Sequence, residues 1–158
     1  MEKGNNPFEG KDNMTELICI AGKQASKNEE IAQALKNELE YRNKRTLITR
    51  LSDYTKHICR DMLKWDGIED RNGCELIAGV GNIVRTLHPD FWVDCILIPI
   101  SAMRDEWDYV IIPDGGRYIA SIQRYGFSLW RMRAASDLPY IELLEYAATE
   151  AQRILERV

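Results

Sequence analysis

At 158 residues the chain is long enough to bury a sizeable core and short enough to form one domain. Its net charge of -4 argues against a dedicated nucleic-acid binder, which would carry a basic face. No apolar run approaches the length of a membrane span, so no membrane partner is expected.

The segment from Met1 to Asn13 is polar and rich in Gly and Asn, and it has no apolar signal core. It is expected to be a flexible tail (residues 1–13) preceding a single domain (residues 14–158). Leu17-Ile18-Cys19-Ile20 then reads as a buried strand running into Gly22, and Ile31, Ala34, Leu35 and Leu39 follow at helical spacing. A strand–glycine–lysine–helix junction is the setting of a phosphate-binding loop, where backbone N–H groups and a helix N-terminus converge on an anion. Here Lys27 follows Gly22 by five residues where the motif has six, the second glycine is absent, and Asn28-Glu29 stand in place of a hydroxyl. Glu29, read as part of the first helical turn, would repel a polyphosphate while suiting the helix dipole. An ordinary strand-to-helix turn explains the stretch about equally well.

The first helix is expected to end near Tyr41 to Lys44, and Thr46-Leu47-Ile48-Thr49 forms a second strand. Ser52 or Asp53 can cap a helix carrying Tyr54, Ile58, Cys59, Met62 and Leu63 on one side, closed by Trp65-Asp66-Gly67. Ile68 to Gly73 reads as a loop and Cys74 to Leu87 as a helix. That helix holds Gly79 and Gly81, each costing about 1 kcal/mol relative to alanine and so marking a close approach of a neighbour or ligand. Asp90 can cap a helix from Phe91 to Arg104 that Pro99 would kink or break. Asp108 to Ile112 is a buried strand delivering Asp114 to its carboxyl end. A short helix stops at Gly126, Phe127 to Met132 is a further strand, and a last helix runs from Pro139 to Arg157. Its expected apolar stripe is Ile141, Leu144, Ala148, Ala151 and Leu155.

Strands alternating with helices imply a parallel sheet covered on both faces, with ligands at the carboxyl ends of the strands. Gly22 to Lys27, Ser52-Asp53 and Asp114 to Arg117 all fall at that edge. Cys19, Cys59, Cys74 and Cys95 form no Cys-x-x-Cys pair, and His57 and His88 lie far from them in sequence. Buried free thiols in a reducing cytoplasm are therefore expected, and a zinc site is not.

Several of these stretches, taken in order, resemble the deoxynucleoside monophosphate kinases, a branch of the P-loop nucleotide kinases. The likeness runs from about Leu17 to Met132. It rests on Ile20-Ala21-Gly22-Lys23-Gln24, Ser52-Asp53 with Lys56, Ile58-Cys59-Arg60-Asp61-Met62, and Trp65-Asp66-Gly67. Gly79-Val80-Gly81 with Arg85, Pro89 to Asp94, and Val110 to Asp114 with Arg117-Tyr118 complete it. The resemblance implies a P-loop NTPase-like three-layer α/β sandwich with a short parallel sheet and a helical monophosphate-binding region at about residues 52–104.

It further implies ATP and magnesium as cofactors, with small-molecule nucleotides as substrates. Gly22, Lys23, Gln24, Ala25, Ser26 and Lys27 would form the donor loop. Asp53, Lys56, Arg85 and Trp92 would bind the acceptor, and Lys27, Asp114 and Arg117 would face the reacting phosphates, Asp114 also holding the metal. Related kinases are often homodimers. The chain departs from the family in the shortened loop, in the extra glycine of Asp114-Gly115-Gly116-Arg117, and in Ile119-Ala120-Ser121 where Pro-Asn-Glu is expected. Two readings therefore stand: phosphoryl transfer to a nucleoside monophosphate, or a nucleotide-binding or structural relative that has lost it.

Overall fold

A computed structural model of the protein describes residues 15–22, 24–103, 105–133 and 138–157. Four parallel strands form one sheet: β1 (Glu16–Ala21), β2 (Thr46–Ile48), β3 (Tyr109–Ile112) and β4 (Leu129–Arg133), in the spatial order β2-β3-β1-β4. Six helices accompany them among the described residues: α1 (Ala25–Tyr41), α2 (Leu51–Asp61), α3 (Arg71–Leu87), α4 (Phe91–Ala102), α5 (Ile119–Arg124) and α6 (Tyr140–Glu156). None of the helices is long and apolar enough to cross a membrane.

Strand periodicity sorts the core into two faces. Ile18 and Ile20 of β1, with Tyr109 and Ile111 of β3, point to one side and pack with Ile31, Leu35 and Leu39 of α1 and Leu143, Ala147 and Ile154 of α6. Leu17 and Cys19, with Val110 and Ile112, point to the other and meet Trp92, Val93, Ile96 and Leu97 of α4 and Ile122 of α5. The result is an α/β sandwich of three layers. β1 and β3 are buried on both faces, as continuous apolar runs in a parallel sheet should be.

Helix ends differ from the sequence expectation in instructive ways. Neither Ser52 nor Asp53 caps α2; both lie inside it, and Arg50 holds the cap position without a side-chain hydrogen bond. The capping acceptor comes from elsewhere, because the Asp114 carboxylate receives the Leu51 and Ser52 N–H groups at 2.9 and 3.0 Å. Met62 and Leu63 fall beyond the helix and are exposed. α3 begins three residues before Cys74, since Asp70 accepts the Gly73 N–H at 2.8 Å and starts the helix inside the expected loop. Asp90 does not cap α4 through its side chain, which instead binds Ser121 and Arg124. α4 also continues through Pro99 as far as Ala102, so the proline does not end the helix where it stands.

Of the two helical glycines, Gly81 is buried and its carbonyl accepts the Trp92 indole N–H at 3.3 Å, whereas a Cβ at Gly79 would meet open space. A Cβ at Gly81 would meet Arg85 at 3.6 Å and Thr55 at 3.9 Å, ordinary contact distances, so neither glycine marks the close approach expected. The apolar stripe of α6 is turned relative to expectation. Leu143, Ala147, Ala151 and Ile154 face the core, while Ile141 is 72% exposed and Leu144 39%. Glu150 shares the inward face, with its carboxylate accepting the Trp130 indole N–H at 3.1 Å and pairing with Arg153 at 3.1 Å. Cys19 and Cys59 are buried free thiols, Cys95 is partly covered, and Cys74 is exposed rather than buried. Residues 1–13 and Lys23 lie outside the described residues.

Candidate functional site

The chain leaves β1 through α1 toward β2 on one side of the sheet, and leaves β3 through α5 toward β4 on the other. α1 and α5 also lie against opposite sheet faces. Connections that diverge in this way open a crevice at the carboxyl ends of the two strands, the place where ligands bind in open α/β sheets. Two cavities occupy this edge.

The larger, about 890 Å³, is lined by Ala21 and Gly22 after β1, by Ala25, Ser26, Asn28 and Glu29 of α1, and by Arg50 after β2. Ser52, Asp53 and Lys56 of α2 add to it, with Pro113, Asp114, Gly116 and Arg117 after β3. The smaller, about 280 Å³, lies between α2, α3 and α4 and is lined by Thr55, Ile77, Ala78, Gly81, Arg85, Trp92 and Tyr118 among others. Ser52, Asp114 and Arg117 line both cavities. These three residues mark the junction.

The loop between β1 and α1 is only Gly22 to Gln24, because the helix already starts at Ala25. That connection is shorter than the glycine-rich loop of the phosphate-binding motif. Lys27 sits in the first turn of α1, pairs with Glu30 at 3.3 Å, and lines neither cavity. Gln24 occupies the helix cap position and lines neither cavity. Gly22, Ala25 and Ser26 do line the larger one. The early helix start also moves Glu29 out of the first turn, so its carboxylate has no role at the helix terminus.

Asn28 is buried and joins the two strand ends, since its amide donates to the Gly22 carbonyl at 3.1 Å and to the Pro113 carbonyl at 3.1 Å. Its Oδ1 is enclosed with no hydrogen-bond donor among the described residues. Gly115 is needed at its position, because a Cβ there would lie 2.8 Å from Ile112 Cγ2 and 3.1 Å from Cys19 Sγ. Glycine at position 115 thus lets the Asp114 loop pack against Ile112 and Cys19.

Arg117 makes no hydrogen bond or ion pair with the described residues, leaving its guanidinium available at the junction. Lys56 lines the larger cavity and pairs with Glu69 at 2.9 Å. Asp53 is exposed and lies 3.8 Å from Arg50. Arg85 donates to the Tyr118 hydroxyl at 3.3 Å and to Asn82. Trp92 lines the smaller cavity but is 1% exposed and packed within the core.

Both Asp114 carboxylate oxygens accept backbone N–H groups of α2, and each keeps a lone pair with which it would hold a magnesium ion carried by nucleotide phosphates. No three His, Cys, Asp or Glu side chains gather to hold a metal ion by themselves among the described residues. Arg50 and Glu29 escaped the sequence reading as a pair. Arg50 Nη2 lies 2.5 Å from Glu29 Oε2 and Arg50 Nε bonds Oε1, a two-point grip. That hydrogen bond raises the Arg50 pKa, against the opposing effect of burial. The usable signal was that Arg50 comes two residues after β2, at the same sheet edge where Gly22 follows β1. No protein-family model matches the chain, and no curated protein matches it in a sequence search.

Proposed function

We propose that the chain is a nucleotide kinase of the P-loop class that transfers a phosphoryl group from ATP to a (deoxy)nucleoside monophosphate. The observation that carries this reading is the meeting of two cavities at the sheet's carboxyl edge, with Arg117, unpaired among the described residues, at their junction. The smaller cavity, partly apolar and carrying Arg85, suits the nucleoside and phosphate of the acceptor. The larger, with Arg50, Lys56 and Arg117 on its walls, suits the phosphates of the donor.

In such a reaction an acceptor phosphate oxygen attacks the terminal phosphorus of ATP, the bond to the bridging oxygen breaks, and ADP leaves. The protein's part is to hold the two phosphates in line and to neutralise charge spread over the equatorial oxygens. Arg117 lines both cavities, which supports giving it that part on this reading.

Calorimetric titration with ATP, then with a panel of deoxynucleoside monophosphates, followed by an assay of ADP release with magnesium in the buffer, tests the proposal. Binding of both ligands and monophosphate-dependent ADP release are expected; no ADP release with any monophosphate would overturn it. A second reading, monophosphate binding without transfer, is favoured by the three-residue turn after β1 and by the Lys27–Glu30 pair. It predicts monophosphate binding with no ADP release.

A further inference from the structure

We propose that Arg50, now gripped by Glu29, is the guanidinium that receives a terminal phosphate group in the larger cavity, the role that the family resemblance implies for Lys27. The proposal rests on the reading of that cavity as a phosphate site. Both side chains line it, together with Arg117 and Lys56. Arg50 presents its Nε and Nη2 edge to the two oxygens of Glu29, the same fork with which a guanidinium grips a phosphate. Exchanging the carboxylate for a phosphate therefore keeps the geometry and changes only the acceptor.

The pairing around Arg50 selects Glu29 as the group to be displaced. Among the charged lining residues, the carboxylates of Glu29, Asp53 and Asp114 face the cations of Arg50, Lys56 and Arg117. Arg117 has no partner among the described residues, but Arg50 is already held by a carboxylate, so a phosphate that reaches Arg50 displaces that partner. Asp114 is fixed by two backbone N–H groups of α2, and Asp53 meets Arg50 only at 3.8 Å. Glu29 alone among the three makes the two-point contact, and its side chain is 40% exposed, so it can swing to water. Arg50 itself stays in place, since it follows β2 in extended backbone and its carbonyl accepts the Asp53 N–H at 3.3 Å. Lys27 has the opposite arrangement, paired with Glu30 outside the cavity walls.

The test is calorimetric titration with inorganic tripolyphosphate at fixed ionic strength, using the full chain. If Glu29 occupies Arg50 most of the time, Glu29→Gln should tighten tripolyphosphate binding about ten-fold, because apparent affinity scales with the competent fraction. Glu30→Gln, which removes an equal charge one residue away and frees Lys27, should leave it unchanged. Adding Arg50→Ala to Glu29→Gln should abolish the gain, and Arg50→Lys, which keeps the charge and loses the fork, should restore only part of it. Thermal unfolding of each variant separates loss of binding from loss of fold. No tightening by Glu29→Gln, or tightening by Glu30→Gln that Lys27→Ala removes, overturns the proposal. Tripolyphosphate has no nucleoside, so the two readings fail separately. A gain through Arg50 without ADP release retains this inference and removes the kinase. ADP release with Glu29→Gln and Arg50→Ala both neutral does the reverse.

Discussion

Asn28 stands where a phosphate loop would carry its functional side chain, yet its amide is spent on two backbone carbonyls, those of Gly22 and Pro113. Asn28→Ala should leave both carbonyls short of a donor and cost about 1–3 kcal/mol in urea denaturation. Cys19 illustrates a different residue-level effect. Burial, and then the Asp114 charge, push its thiol up to about 12, with Arg131 acting weakly in the opposite sense. The folded chain keeps that proton at pH values where the unfolded chain releases it, so rising pH favours unfolding. The stability contribution is complete below the ordinary thiol range and is lost above it. At about pH 10 the loss should be about 1 kcal/mol relative to about pH 7, and a Cys19→Ala variant should lack that increment in paired denaturation curves. Neither residue's partners can be read from spacing. The Pro113 carbonyl is 85 positions from Asn28.

At the scale of elements, α6 and α2 carry the lesson. α6 offers two overlapping apolar stripes, and helical periodicity fits both. Packing against α1 and the sheet selects the one built on Leu143, Ala147 and Ile154. Leu143→Ala should therefore cost about 2–5 kcal/mol, and Ile141→Ala, at an exposed position, about 0.5 kcal/mol or less, in thermal or urea unfolding. α2 shows a cap supplied from far along the chain. Asp114→Asn would replace one carboxylate acceptor with an NH2 group facing a backbone N–H, and should cost about 0.5–2 kcal/mol. The loss should appear with no nucleotide present, as a lower urea midpoint with an unchanged slope. The local motif Ser52-Asp53 hid this arrangement, because it supplied a plausible cap of its own.

Over the whole molecule, the two cavities give separable binding readouts. Arg85 lines only the smaller one, so Arg85→Ala should weaken monophosphate binding about ten-fold or more and leave tripolyphosphate binding unaltered. Arg117 lines both, so Arg117→Ala should weaken both ligands by a similar factor. Equal effects of the two variants on the two ligands would mean that the cavities do not act as separate subsites. By itself, the sequence determined the strand and helix order, the parallel α/β class and the edge at which Gly22, Ser52, Asp114 and Arg117 gather. Those follow from local periodicity and from the chirality of crossovers, both written in neighbouring residues. Which cations face the cavity was decided only by tertiary structure. An early start to α1 turned Lys27 toward Glu30, and the approach of β2 to α1 set Arg50 against Glu29. Side-chain direction at a helix start depends on where the first turn begins, and long-range pairing depends on strands that meet only in the folded sheet.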